Sequence, residues 1–139
     1  MNDPHDLQRF VDAQNPVFEH VGAELRSGRK QGHWMWFIFP QLKGLGYSWM
    51  ANKYGIASRE EAEAYLRHPL LGPRLRECTQ LVNLVKGRSI GQIFGDPDDL
   101  KFRSCMTLFA QVTSDNQVFV DALQKYFGGQ SDDLTLARL

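Results

Sequence analysis

Cysteine is scarce in this chain: two of 139 residues, Cys78 and Cys105, lie far apart, each in an apolar helical context. Two such thiols make neither a disulfide framework nor a metal-ligand spacing, and free, buried thiols in a reducing compartment are expected. No charge of one sign is in excess, because 16 basic and 16 acidic residues cancel. A neutral balance supplies no long-range field to gather nucleic acid or an anionic membrane, so nucleic acid is disfavoured as a partner. The longest aromatic-apolar run, Trp34 to Phe39, is far too short to span a bilayer. The opening Met1-Asn2-Asp3-Pro4-His5-Asp6 has neither the basic region nor the apolar stretch of a signal peptide. A cytoplasmic protein without membrane contact is the expectation. No Pro/Gly/Ser-rich linker, internal repeat or low-complexity segment divides the sequence. Residues 1–139 therefore read as a single globular domain, and 42% hydrophobic residues can furnish its core.

The strong catalytic signatures are missing too. There is no Gly-x-Ser-x-Gly elbow, no phosphate-cradling glycine loop followed by Lys-Ser/Thr, no dinucleotide fingerprint and no His-Glu-x-x-His. The four histidines, His5, His20, His33 and His68, are not spaced as ligands on one helix face. No metal and no cofactor is expected.

What the chain does have is helix punctuation. Asp3-Pro4 and Asn15-Pro16 pair a capping residue with a proline suited to the first helical position. Leu7, Phe10 and Val11, then Val17, Phe18, Val21 and Leu25, follow at helical spacing, the second run closing at Gly28. Ser58 with Glu61, and Ser89 with Gln92, have capping-box spacing. Between them a helix from Pro69 carries Leu71, Leu75, Cys78 and Val82. Asp96-Pro97-Asp98-Asp99 opens a helix with carboxylates at the positive end of its dipole. Ser114-Asp115-Asn116-Gln117 opens another that closes at Gly128-Gly129, and Asp132-Asp133 looks like one more start. Strand alternation is scarce, its one candidate being 34–39, which could equally be a helical turn. The fold expected is mainly α, six or seven short helices irregularly packed with little or no strand.

Two segments exceed what punctuation needs. In the first, Arg29, Lys30 and His33 run into Trp34, Trp36, Phe37 and Phe39, ending at Pro40-Gln41. Aromatic faces can stack on a planar ligand while cations and an imidazole meet its charge. In the second, Lys101, Ser104, Thr107 and Gln111 share one side of a helix beside Arg103, a wall whose hydroxyls and cations suit phosphate or carboxylate. Each segment also admits a plain reading: aromatics that plug the core, and a solvated helix face. A third candidate is 43–57, whose glycines give the freedom of a lid.

These motifs carry a resemblance. His33-Trp34-Met35-Trp36-Phe37-Ile38-Phe39-Pro40-Gln41 is its most specific word, joined by Gly72-Pro73-Arg74-Leu75-Arg76-Glu77-Cys78, Ile93-Phe94-Gly95, Asp99-Leu100-Lys101 and Ser104-Cys105-Met106-Thr107-Leu108-Phe109. Over nearly its whole length the chain resembles the bacterial family catalogued as domain of unknown function 1810, with Cys105 standing where relatives are associated with serine. The resemblance implies a mainly helical single domain and brings no activity. Some relatives are labelled calpastatin, but such an inhibitor is expected to be extended and poor in hydrophobic residues. This chain is aromatic-rich and densely capped.

The functional expectation is a domain that binds, and could hydrolyse or transfer, an anionic planar metabolite such as a nucleotide or an ADP-ribose derivative. Trp34 and Trp36 would form the wall, with Gln41 closing the aromatic segment. Arg29, Lys30, Lys101 and Arg103 would face phosphate, Ser104 and Thr107 would orient it, and His33 would move a proton. The alternative is a non-catalytic protein-interaction domain that docks a partner on 34–39. Nothing in the sequence reports an oligomeric state.

Overall fold

A run of apolar and small residues without a charged one, such as 104–110, can be buried on every side of its helix. The computed structural model describes residues 2–139 and forms ten helices among them: α1 (Gln8–Gln14), α2 (Phe18–Arg26), α3 (Met35–Ile38), α4 (Trp49–Lys53), α5 (Arg59–Arg67), α6 (Leu71–Leu84), α7 (Ile90–Phe94), α8 (Asp98–Gln111), α9 (Gln117–Phe127) and α10 (Asp133–Arg138). In α8, Phe102 and every residue from Ser104 to Ala110 are buried. It is the central post, packed by α5, α7, α9 and α10, while α6 bridges α9, α2 and α5 and α1 lies on α3. No helix among the described residues is long and apolar enough to cross a membrane.

The fold is mainly helical, as the punctuation predicts, and the helix number is higher because α3, α4 and α10 are only four to six residues long. The ambiguous 34–39 run is resolved as the turn of α3, and no strand forms among the described residues. One parallel bridge, Leu42 to Ile56, closes the base of the 43–55 loop.

The capping logic holds with informative departures. Ser89 and Gln92 make the reciprocal box, Gln92 N donating to Ser89 Oγ at 3.1 Å and Ser89 N to Gln92 Oε1 at 2.9 Å. Ser58 likewise accepts from Glu61 N, but the Glu61 carboxylate turns elsewhere. It accepts from Ala57 N at 3.2 Å and from Arg9 Nη2 at 2.8 Å, inside the core boundary. Arg9 also donates to the carbonyls of His5, Asp6, Lys53 and Gly55, tying α1 to the end of the loop that contains α4. Asp3 accepts from Leu7 N and Gln8 N, so it caps as expected although regular helix begins only at Gln8. At the α5–α6 corner, a Cβ on Gly72 would lie 2.1 Å from Leu66 O, so only glycine fits.

Buried polar groups act as ties. Gln14 Nε2 donates to Phe37 O at 2.7 Å and to the Tyr65 hydroxyl at 3.1 Å, while Arg74 donates to Gln14 Oε1. Burial pushes the Tyr65 phenol far above its ordinary range. Both cysteines are free and buried, and desolvation pushes Cys78 up to about 12 and Cys105 well above its usual value.

Candidate functional site

The first segment divides at Trp34. Its indole is only 2% exposed, packs against Phe39 and Phe94, and donates from Nε1 to Glu24 Oε1 at 3.0 Å. The same oxygen accepts from Gln31 N and Gly32 N. Burial alone would raise the Glu24 carboxyl, but those three donors and the nearby Lys30 charge outweigh it and hold the group below its ordinary value. The glycine-flanked basic stretch is thus wrapped on one carboxylate of α2, and Trp34 presents no face to a ligand. Phe37, Ile38 and Phe39 are buried as well. Only Trp36 remains half-exposed, so 34–39 offers no flat aromatic surface to a partner.

Lys30 and Lys101 share Asp98 unequally. Lys30 Nζ lies 2.9 Å from Asp98 Oδ2 and also donates to Gly32 O at 2.6 Å. Lys101 Nζ lies 3.5 Å from Asp98 Oδ1, makes no hydrogen bond among the described residues, and sits 5.0 Å above the Trp36 ring. Lys30 is satisfied; the Lys101 charge is the less neutralised of the two.

The Ser104–Thr107 stripe is neither a solvated face nor wholly a pocket wall. Thr107 is fully buried, donating to Arg103 O at 2.9 Å and accepting from Asp132 N at 2.9 Å. Ser104 Oγ lies 3.2 Å from both Leu100 O and Asp132 Oδ2, either of which can take its single proton. The stripe is the seam on which the start of α10 is seated, with Asp132 as the cap of that helix. Arg103 reaches over the same junction, donating from Nε to Gln130 O and from Nη2 to Ser131 O.

Where these parts meet there is a cleft of about 390 Å³, bounded by the 41–46 loop, the first two turns of α8 and the start of α10. Gln41, Lys101, Arg103, Ser104 and Asp132 supply its polar lining, and Leu45, Leu100 and Leu134 its apolar rim. Four groups of these lining residues make no hydrogen bond among the described residues: the Lys101 ammonium, whose carboxylate neighbour is Asp98 at 3.5 Å, Arg103 Nη1, the Gln41 carboxamide and Asp132 Oδ1. A narrow apolar slot shares Gln41 and Lys101 with the cleft and is walled by Met35, Trp36, Phe39, Ala51, Tyr54 and Gly55. At about 10 Å³ it has room for one water.

Two other clefts are as large, and some of their polar groups are occupied. In one, about 430 Å³, Asp3 is bound to the backbone of 7–8, and His68 Nδ1 accepts from Leu70 N and Leu71 N. In the other, about 440 Å³, Arg9 is saturated by the contacts described above.

The cleft therefore brings together Gln41, Lys101, Arg103 and Ser104, with Trp36 in the adjoining slot. Lys30 is one carboxylate away and Thr107 lies behind the wall. Trp34 is in the core. Arg29 and His33 are exposed and line none of these clefts. Asp132 was missed because its sequence context reads as a helix start, which it is; only the fold shows that it lines the cleft together with Lys101, Arg103 and Ser104. No cluster of three or more His, Cys, Asp or Glu side chains suited to a metal occurs among the described residues.

The family model for the protein of unknown function DUF1810 matches residues 4–139, and the chain belongs to that family. Among solved structures it is similar to the conserved hypothetical protein Rv1873 from Mycobacterium tuberculosis. The identity is 65%, the TM-score 0.98, and 99% of this chain and 98% of that one are covered. No curated protein matches.

Proposed function

We propose that this domain binds a small anionic metabolite in the cleft between the 41–46 loop, α8 and α10. The supporting observation is the convergence of Gln41 with Lys101, Arg103 and Ser104, which come from two motifs some sixty residues apart, on a cleft of ligand size. The Lys101 ammonium and Arg103 Nη1 suit a phosphate or carboxylate. Asp132 Oδ1 asks for a donor, so the ligand is an anion that also carries a hydroxyl or amino group, as nucleotides and ADP-ribose derivatives do. Hydrolysis or transfer has weaker support than binding, since His33 is outside the cleft and Asp132 is the one carboxylate lining it. The two free, buried thiols fit a reducing, cytoplasmic setting.

A protein partner is the second reading, and it draws on Tyr47 and Trp49, 90% and 70% exposed. Both lie on the loop beside the cleft, so the patch moves from 34–39 to 45–49. Thermal-shift titration with nucleotides, ADP-ribose and simple phosphates separates the two. A ligand that binds only the folded state stabilises it by about 2.7 kcal/mol at a hundredfold excess over Kd. The metabolite reading expects a shift lost in Lys101→Met and kept in His33→Ala. A flat panel, or a shift lost only in His33→Ala, contradicts it.

A further inference from the structure

The apolar slot has no role in holding an anion, yet it opens beside the Lys101 ammonium and the Gln41 carboxamide, which it shares with the cleft. Its floor is Trp36, Phe39 and Tyr54, and its outer wall is α4. That wall is thin. None of the five residues of α4 is buried; its first residue, Trp49, is exposed, and so is Tyr47 just before it. The loop is anchored at its ends, by the Leu42–Ile56 bridge and by Arg9 on the carbonyls of Lys53 and Gly55. Gly44, at φ +97°, supplies a turn at one end that other residues rarely adopt. Between the anchors, a Cβ on Gly46 would meet Ala51 Cβ at 2.9 Å, so the cleft loop and α4 lie directly against each other over the slot. Displacing α4 outward gives up only the partial packing of Met50 on the core, no residue of the helix being fully buried, and converts the slot into an aromatic pocket continuous with the cleft.

Resting on the anion-binding reading above, we infer that the cleft and the slot form one bipartite site for an aryl or similarly flat apolar anion. Its charged group lies between Lys101 and Arg103, and its ring enters beneath α4 onto Trp36 and Tyr54. The segment 45–53 is the flap that admits it. Gln41, at the junction, hydrogen-bonds the atoms linking ring and anion. The Lys101 ammonium already over the Trp36 ring marks the point where charge and ring adjoin.

The test is a calorimetric series on the intact protein with inorganic phosphate, methyl phosphate and phenyl phosphate. Burying a phenyl ring on an aromatic floor predicts that phenyl phosphate binds roughly tenfold or more tightly than methyl phosphate. Ala51→Leu, which fills the slot from α4, removes that advantage of phenyl over methyl phosphate. Equal affinity of the wild-type protein for methyl and phenyl phosphate overturns the bipartite site while leaving anion binding intact. Absence of binding by all three overturns both. Because the wild-type series stands alone, a folding defect in Ala51→Leu does not shelter the proposal; Ala51→Val, a smaller filling, then serves in its place.

Discussion

Arg9 shows how much one side chain can organise. Its guanidinium joins the Glu61 carboxylate to four carbonyls, two of them at the foot of the flap. Both members of the pair are largely shielded, at 13% and 5% side-chain exposure. Removing one partner leaves an uncompensated charge, and Arg9→Ala should lower the unfolding free energy by about 3 kcal/mol or more, read from urea denaturation. Glu24 offers a pH test. Its carboxyl is held below the ordinary value of 4.5, so the folded state gains from its ionisation. That contribution is complete above about pH 4.5 and is lost as pH falls through the depressed folded value. Urea midpoints should therefore drop more steeply below pH 4.5 for the wild type than for Glu24→Gln; equal slopes would show that Glu24 contributes nothing there. The two thiols should resist a soluble thiol reagent at about pH 8 in the native state and react fully on unfolding. Little at this scale is legible in sequence. Glu61 reads as a capping-box partner and Glu24 carries no signal, because their partners arrive from elements far along the chain.

At the scale of elements the sequence is far more readable. Caps and glycine stops depend on residues within one turn of each other, and they locate α5 and α7 closely; α2 and α8 begin near their expected starts but without a side-chain cap, Asn15 closing α1 instead and Pro97 standing at the cap position of α8. α9 starts at Asn116-Gln117 instead of Ser114, the Asn116 side chain being used to bond Ala110 O across the corner. α3 and α4 escape because four or five residues hold barely one turn of periodicity. Gly72 is an element-scale constraint, since α5 and α6 meet backbone to backbone there. Gly72→Ala should cost about 1–3 kcal/mol in stability, and a neutral result would contradict that close approach. α4, with no buried residue, belongs at the opposite end of the stability range. Its amides should exchange with solvent before those of α6, α8 and α9 in native-state hydrogen exchange.

For the whole molecule, the informative outcome is how the two singled-out motifs divide. Residue types suited to a ligand stand in both. The fold sends Trp34 to the core, holds Lys30 on Asp98, leaves Arg29 and His33 in solvent and turns Thr107 into a seam. Gln41, Lys101, Arg103 and Ser104 remain, joined by an aspartate whose capping role hid it. Spacing on one helix can suggest such a wall; what stands opposite it is decided by packing.

The most direct test is an amide chemical-shift titration of the labelled protein with inorganic phosphate and phenyl phosphate at millimolar concentration. The cleft predicts saturable changes centred on Gln41, Gly46, Leu100 to Ser104 and Ser131 to Asp133, with phenyl phosphate adding changes at Trp36, Ala51 and Tyr54. Shifts centred on 29–34 or on the cleft beside His68, or no saturable shift at all, would contradict the cleft as the binding site.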